Sequence, residues 1–406
     1  MDKPQVSSQA ISPANSIQRI TAIEGLRAYL AFWVVFDHIL GAAGYKYSLV
    51  SGFAKILCAG WYAVDVFVII SGFVIFYLLD NKSESYRRFI TRRFFRLWPL
   101  FILLFLISIP VSKIALANLG MFADAYPDSP VAGKGGEWIE SWWDNLAAHV
   151  LWHLPMLHGV VPDKLVPLSP VSFLGPAWSI SLEWQFYLIA PLLFFWVKSR
   201  NKVLIGLITI GCLGAFLLAP KFEYPRFGEF NKVGAFLPMH IEFFYIGCLS
   251  YFLFCKFQKE PLRFPCFPLG IILGVIIGVA ATVLKPSNLD WIPYVIWLVF
   301  FAMILDLQKP DAGQWTTKLS KVFDNSLTLH LGKISYSIYL VHTLVIAGVQ
   351  WAIFTTLPDL KQPKHLITIG IASLFGTILI SHFLYKWVEK PGMRIGSKFA
   401  QKLASK

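Results

Sequence analysis

The sequence predicts an all-α integral membrane protein with about ten transmembrane helices and both termini in the cytoplasm. Three observations carry that prediction. The 406 residues are 56% hydrophobic and only 15% charged, with a mean hydropathy of +0.60, where a soluble domain has more charge and fewer apolar residues. Apolar stretches of about 20 residues, the length that crosses a bilayer's hydrocarbon core, recur along the whole chain. The net charge is +13, but the basic residues gather in short loops and at the C-terminus. That distribution follows the positive-inside bias of membrane proteins rather than a nucleic-acid-binding face, so no nucleic acid is expected as a partner.

Taken in order, residues 1–20 are polar and lack the basic start and apolar core of a cleaved signal peptide, so they read as a cytoplasmic tail. The first span runs from about Leu26 to Gly44. The second, from about Gly60 to Leu79, holds Asp65 and the small pair Ser71-Gly72. Next stand Lys82, Arg87, Arg88, Arg92, Arg93 and Arg96 against Asp80 and Glu84, an excess that marks the cytoplasmic side. The third span, about Leu97–Leu116, leads to Asp124, Asp128, Glu137, Glu140 and Asp144 against Lys134, which suits the outside. Within that segment 145–158 is apolar but short, and reads as a re-entrant or interfacial piece with wet histidines.

The fourth span, about 177–197, returns to Lys198, Arg200 and Lys202. The fifth, about 203–219, and the sixth, about 239–255, flank an outer loop and deliver Lys256, Lys259 and Arg263 inside. The seventh, about 267–284, carries Gly270, Gly274 and Gly278, a stripe that lets a neighbouring helix approach closely. The eighth is about 291–306. A basic loop with Lys309, Lys318, Lys321 and Lys333 precedes the ninth, about 334–354. The tenth, about 365–387, delivers Lys390, Arg394, Lys398, Lys402 and Lys406. Cys58, Cys212, Cys248, Cys255 and Cys266 are scattered, mostly within apolar runs, and serve best as filling.

Ionisable residues inside spans are expensive and normally face a cavity or a polar partner. Arg27 and His38 are eleven residues apart, three helical turns plus about 20°, so they share one face. Their separation along the axis is roughly 16 Å, which sets a cation near one membrane surface and an imidazole near mid-depth. A snorkelling arginine and a structural histidine explain this helix equally well. Arg93 and Arg96, three apart, also share a face and can grip phosphate with forked donors. Topology alone also accounts for basic residues at a helix end. Glu183, about two turns into the fourth span, is expected at a depth comparable to His38, where a carboxylate can orient an imidazole. A structural pair with an arginine is its other reading. His342, with Ser335, Tyr336 and Tyr339, adds a second intramembrane imidazole suited to packing or to chemistry.

His149 and His153 have the i, i+4 spacing of a metal pair, but no glutamate completes an H-E-x-x-H, and no metal centre is expected. There is no G-x-S-x-G elbow, phosphate-cradling loop with lysine or dinucleotide fingerprint.

Together these stretches resemble the membrane-bound acyltransferase 3 family. The resemblance rests on Gly25-Leu26-Arg27 with His38, then on Val64-Asp65-Val66-Phe67-Val68-Ile69-Ile70-Ser71-Gly72-Phe73. Arg93-x-x-Arg96 with Leu97-Trp98-Pro99 follows, then Trp178-Ser179-Ile180-Ser181-Leu182-Glu183 with Phe186-Tyr187. Ile334 to His342 and the closing Val388-Glu389-Lys390-Pro391 complete the order. Singly each is weak; six in order across 21–391 are specific. The resemblance implies a stand-alone transmembrane acyltransferase domain over 21–391, followed by a basic cytoplasmic tail at 392–406. It implies transfer of an acyl group, usually acetyl, from cytoplasmic acyl-coenzyme A to a glycan hydroxyl beyond the membrane. O-antigen of lipopolysaccharide, exopolysaccharide or a lipid-linked glycan are acceptors of that kind, and the bacterial cytoplasmic (inner) membrane is the expected location.

On that reading His38 is the catalytic base, and Glu183 orients it. Arg27, Arg93, Arg96 and Ser71 belong to donor binding, while Asp65, Tyr336 and His342 are candidate substrate contacts. Ser71 or Tyr336 are candidate oxyanion donors. The competing class is a transporter of a polar solute or protons, which uses buried His, Glu and Arg in the same way. Such proteins usually show repeated halves with broken helices, and the chain has no convincing internal repeat.

Overall fold

In hydrocarbon every backbone N–H and C=O must pair within its own segment, and the long apolar runs of this chain accordingly fold as helices. The computed structural model describes residues 13–82, 84–129, 135–199, 202–218, 235–285, 289–309 and 311–403, and no strand occurs among them. Lys134, Arg200 and Lys406 lie outside the described residues, and of Lys202 and Cys212 only the backbone is described. The helices are α1 Pro13–Ala42, α2 Gly52–Leu57, α3 Trp61–Asn81, α4 Tyr86–Ala125, α5 Gly136–Asp144, α6 Leu146–His153, α7 Trp178–Lys198 and α8 Lys202–Leu218. They continue with α9 Ile241–Lys259, α10 Cys266–Leu284, α11 Ile292–Asp306, α12 Gln314–Phe323, α13 Ser326–Lys333, α14 Ser335–Thr356, α15 Lys364–Leu384 and α16 Lys390–Lys402.

Each of the ten predicted spans is helical in its described part (α1, α3, α4, α7 to α11, α14 and α15). Among the described residues, 7 helices are long and apolar enough to cross a membrane, which makes this a multi-pass membrane protein. The other three fall short for separate reasons. α1 carries Glu24, Arg27, Asp37 and His38, while α8 and α11 have 17 and 15 residues, about 26 and 22 Å of rise. α6, with 8 residues and about 12 Å of rise, is too short to span, as expected.

The chain divides into two compact units. One comprises residues up to Tyr29 together with Phe252–Lys333. In it the glycine stripe of α10 lies against α11: a Cβ added at Gly270 would come within 2.6 Å of Ala302 Cβ, and one at Gly274 within 3.1 Å of Val295 and Val299. The neighbour that the stripe admits is therefore the next helix in the chain.

The other unit comprises Leu30–Tyr251 and Ile334–Lys406. Its long member is α4, 40 residues or about 60 Å, with Pro99 and Pro110 inside it. Arg93 and Arg96 ride on the same continuous helix as the third span. α4 packs on α7, α14 and α16, and α3 packs on α7. At the C-terminus α15 passes through a π-helical turn, Tyr385–Glu389, into α16. The described part of the predicted tail is thus a helix, and its Gly392, Gly396 and Ala400 are buried.

Candidate active site

α14 and α7 meet through polar side chains. Ser179 Oγ donates to Tyr339 Oη at 2.8 Å. α14 also packs on the short turn Gly175–Ala177 that precedes α7. Glu183 lies within electrostatic reach of both Tyr336 and Tyr339, and Tyr339 packs beside His342. Tyr336 and His342, six residues apart on α14, are about 9 Å apart along its axis. A polar seam with an arginine end and a histidine end results.

At the arginine end the Arg93 guanidinium lies 5.8 Å from the ring centres of both Phe89 and Tyr187. Its Nε is buried without a hydrogen-bond partner, and among the described residues no carboxylate pairs with it. Arg92 pairs with Glu84. Arg96 pairs with Glu389, sits 5.7 Å over the Tyr336 ring, and donates to Met393 Sδ at 3.3 Å. The predicted pair is therefore split into one guanidinium with an open charge and one held by a carboxylate. Glu183 accepts from Ser71 Oγ at 3.3 Å and from Tyr187 Oη. Tyr336 Oη donates to Leu97 O at 2.8 Å, so the hydroxyls proposed as oxyanion donors are engaged by Glu183 and by backbone.

At the histidine end His38 and His342 meet edge to face, with ring centres 4.8 Å apart and an interplanar angle of 74°. His38 is the exposed member, and His342 is fully buried. His38 Nδ1 lies 2.9 Å from Val34 O, one turn back. A carbonyl only accepts, so Nδ1 carries the hydrogen and Nε2 is the basic nitrogen of the neutral ring. His342 Nδ1 is likewise bonded, to Ile338 O at 3.3 Å, and its Nε2 is buried without a partner. Tyr339 lies 6.2 Å from His342 and 6.2 Å from Phe67, and joins the two ends through Ser179.

One expectation needs correction. Glu183 and His38 make no hydrogen bond or ion pair among the described residues. The carboxylate points to the arginine end, and the tautomer of His38 is held by its own helix instead.

Of the other predicted residues, Asp65 lies 3.9 Å from His240 Nδ1, and His240 rests against Trp178 with ring centres 5.6 Å apart. Arg27 belongs to the first unit, where it lies 3.8 Å from Glu24. Tyr187 and Glu389, named in the sequence only as members of motifs, and His240, not singled out there, also join the site. Tyr187 had a signal, its i, i+4 spacing from Glu183 on one helix face. Glu389 had a weaker one, a carboxylate closing an apolar run. His240 had none.

The wet histidines of 145–158 are corrected too: His149, His153 and His158 are each 0% exposed. His153 stacks between Phe105 and His158, with ring centres at 4.3 and 4.1 Å, and Phe101 continues the stack at 5.6 Å from His158. Phe101 and Phe105 are one turn apart on α4, and that matching period was the available clue. Nearly parallel rings cannot converge on a metal. His153 Nδ1 donates to His149 O at 2.7 Å, and His158 Nε2 donates to Ala177 O at 3.0 Å. Burial pushes His149 and His158 down to about 4 and His153 well below the ordinary range.

Against known proteins, the acyltransferase domain family matches residues 20–386. The chain is 25% identical over 400 residues to acyltransferase MdmB of Streptomyces mycarofaciens, covering 93% of each. It is 24% identical over 395 residues to peptidoglycan O-acetyltransferase OatA of Listeria monocytogenes, covering 92% of this chain and 55% of OatA. The chain thus spans little more than half the length of that relative. No solved structure gives a significant match.

Proposed function

We propose, from the premise that this chain belongs to the acyltransferase domain family, that it is a membrane O-acetyltransferase using cytoplasmic acetyl-coenzyme A. The acceptor is a hydroxyl of a glycan, free or lipid-linked, on the far side of a bacterial cytoplasmic membrane. In this reading ten helices cross the bilayer, both termini face the cytoplasm, and the arginine end of the seam opens inward.

The observation that carries the proposal is His38: an exposed imidazole whose Nδ1 is tied to Val34 O, leaving Nε2 as an oriented base. Acetyl-coenzyme A supplies a thioester, an acyl group already activated toward a hydroxyl. Arg93, with no carboxylate partner among the described residues, suits its phosphates, since charge-assisted bonds of this kind contribute about 1.5–3 kcal/mol each. His38 Nε2 takes the proton of the acceptor hydroxyl as its oxygen attacks the thioester carbonyl. The C–O bond forms, the C–S bond breaks, and the imidazolium returns the proton to the departing thiolate. His342 packs against His38 and keeps that ring's orientation.

Mass spectrometry of surface glycans from cells with and without the protein tests this reading. Acetyl esters that disappear with the protein, and return with the wild type but not with His38→Gln, are the expected result. An unchanged acetylation pattern refutes it.

A further inference from the structure

Glu389 is 1% exposed, deeper than any other carboxylate around the seam, yet the chemistry above does not use it. It ends the π-helical turn between α15 and α16, and such one-turn insertions redirect side chains at functional sites. One oxygen, Oε1, pairs with Arg96, and the other, Oε2, accepts from Ser337 Oγ at 2.9 Å. Met393, one turn on, contacts the same Arg96 Nη1 at 3.3 Å.

The approach that permits this depends on two glycines alternating with those residues. A Cβ at Gly392 would meet Pro99 Cγ at 2.9 Å, and one at Gly396 would meet Phe95 Cβ at 2.4 Å. Phe95 also stacks on Phe399, with ring centres 5.6 Å apart and planes 9° apart. α16 is thereby seated on α4 at Phe95–Pro99, on both sides of Arg96, while Tyr336 lies beneath the guanidinium.

We infer that Glu389 is a positioning residue for the acyl donor: with Ser337 and Met393 it holds Arg96 in the orientation in which Arg96 and Arg93 together receive the donor's phosphates. The inference rests on the coenzyme A reading above. The guanidinium is planar, and its fork serves only when its plane is fixed. A carboxylate bridging Arg96 to the α14 hydroxyl fixes that plane from α14 and α16 at once. The C-terminal helix is then part of the donor site.

Purified full-length protein in nanodiscs, titrated with coenzyme A and assayed for acetyl transfer, tests the assignment. Glu389→Gln is expected to weaken coenzyme A binding about tenfold and raise the donor KM equally, with kcat at saturating donor kept within about threefold. Ser337→Ala, a milder change, should weaken binding about threefold. In an Arg96→Gln background, Glu389→Gln should add less than about twofold, because both act through one guanidinium. Wild-type affinity in folded Glu389→Gln overturns the inference, as does a full additional loss in the Arg96→Gln background. Should Glu389→Gln not elute as a folded species, Ser337→Ala decides, and its unchanged affinity overturns the assignment. A wild-type protein that binds no coenzyme A refutes the donor reading itself, an outcome separate from all of these.

Discussion

The buried histidine stack makes stability depend on pH in a direction that can be worked out. His158 is fully enclosed between Phe101 and His153, and burial holds it at about 4 against an unfolded value of about 6.5. Its folded value is the lower one, so the unfolded chain takes up the proton first. Stability is full above about pH 6.5 and is lost as pH falls toward 4. At pH 5 the unfolded histidine is almost fully charged and the folded one about one-tenth charged. The difference amounts to about 2 kcal/mol lost relative to pH 7.5. His149 and His153 act in the same sense. The test is unfolding of purified protein in detergent at pH 7.5 and pH 5, for wild type and His158→Phe. Phenylalanine keeps the stacked ring but has nothing to protonate. The variant should lose about 2 kcal/mol less than wild type between the two conditions. Equal losses would show that the stack is not held neutral.

His38→Gln should lower acetyl transfer about a hundred- to ten-thousand-fold while coenzyme A binding stays within about twofold, measured by turnover and calorimetry. Arg93→Ala should weaken coenzyme A binding at least about tenfold and leave the unfolding temperature nearly unchanged, since among the described residues no carboxylate pairs with it. Glu183→Gln, lying at the arginine end, should raise the donor KM more than it lowers kcat; a kcat loss as deep as that of His38→Gln would return the carboxylate to the imidazole. For topology, Asp128→Cys should react from outside intact cells with an impermeant thiol reagent, and Lys82→Cys should not.

Much of this fold was legible because hydrophobic length and loop charge are properties of contiguous sequence. The ten predicted spans fall on helices in their described parts, seven of them long and apolar enough to cross a membrane, and α6 in the 145–158 piece is too short to span. The residues at both ends of the seam were also legible, since ionisable groups in apolar runs stand out: Arg93, Arg96, Glu183, His38 and His342 all reappear there. What the sequence could not supply was their pairing. Whether Glu183 meets an imidazole or a tyrosine depends on the register of α7 against α14, set by contacts such as Ser179–Tyr339 between residues 160 apart in the chain. The histidines near 150 were misjudged for the same reason, because their dryness comes from rings on α4.

On the proposed reading, with His38 as base and the arginines receiving the donor's charge, the spacing along α14 also bears on which donor fits. Arg96 lies over Tyr336, and His38 over His342, six residues further along α14, so charge recognition and base are about 9 Å apart along one helix. A small acyl phosphate carries its charge beside its reactive carbonyl and cannot meet both. Coenzyme A carries its phosphates at one end of a long, uncharged arm and its thioester at the other. On the proposed reading, separating the cationic end from His38 also favours the chemistry, since a guanidinium close to the imidazole would disfavour an imidazolium formed there.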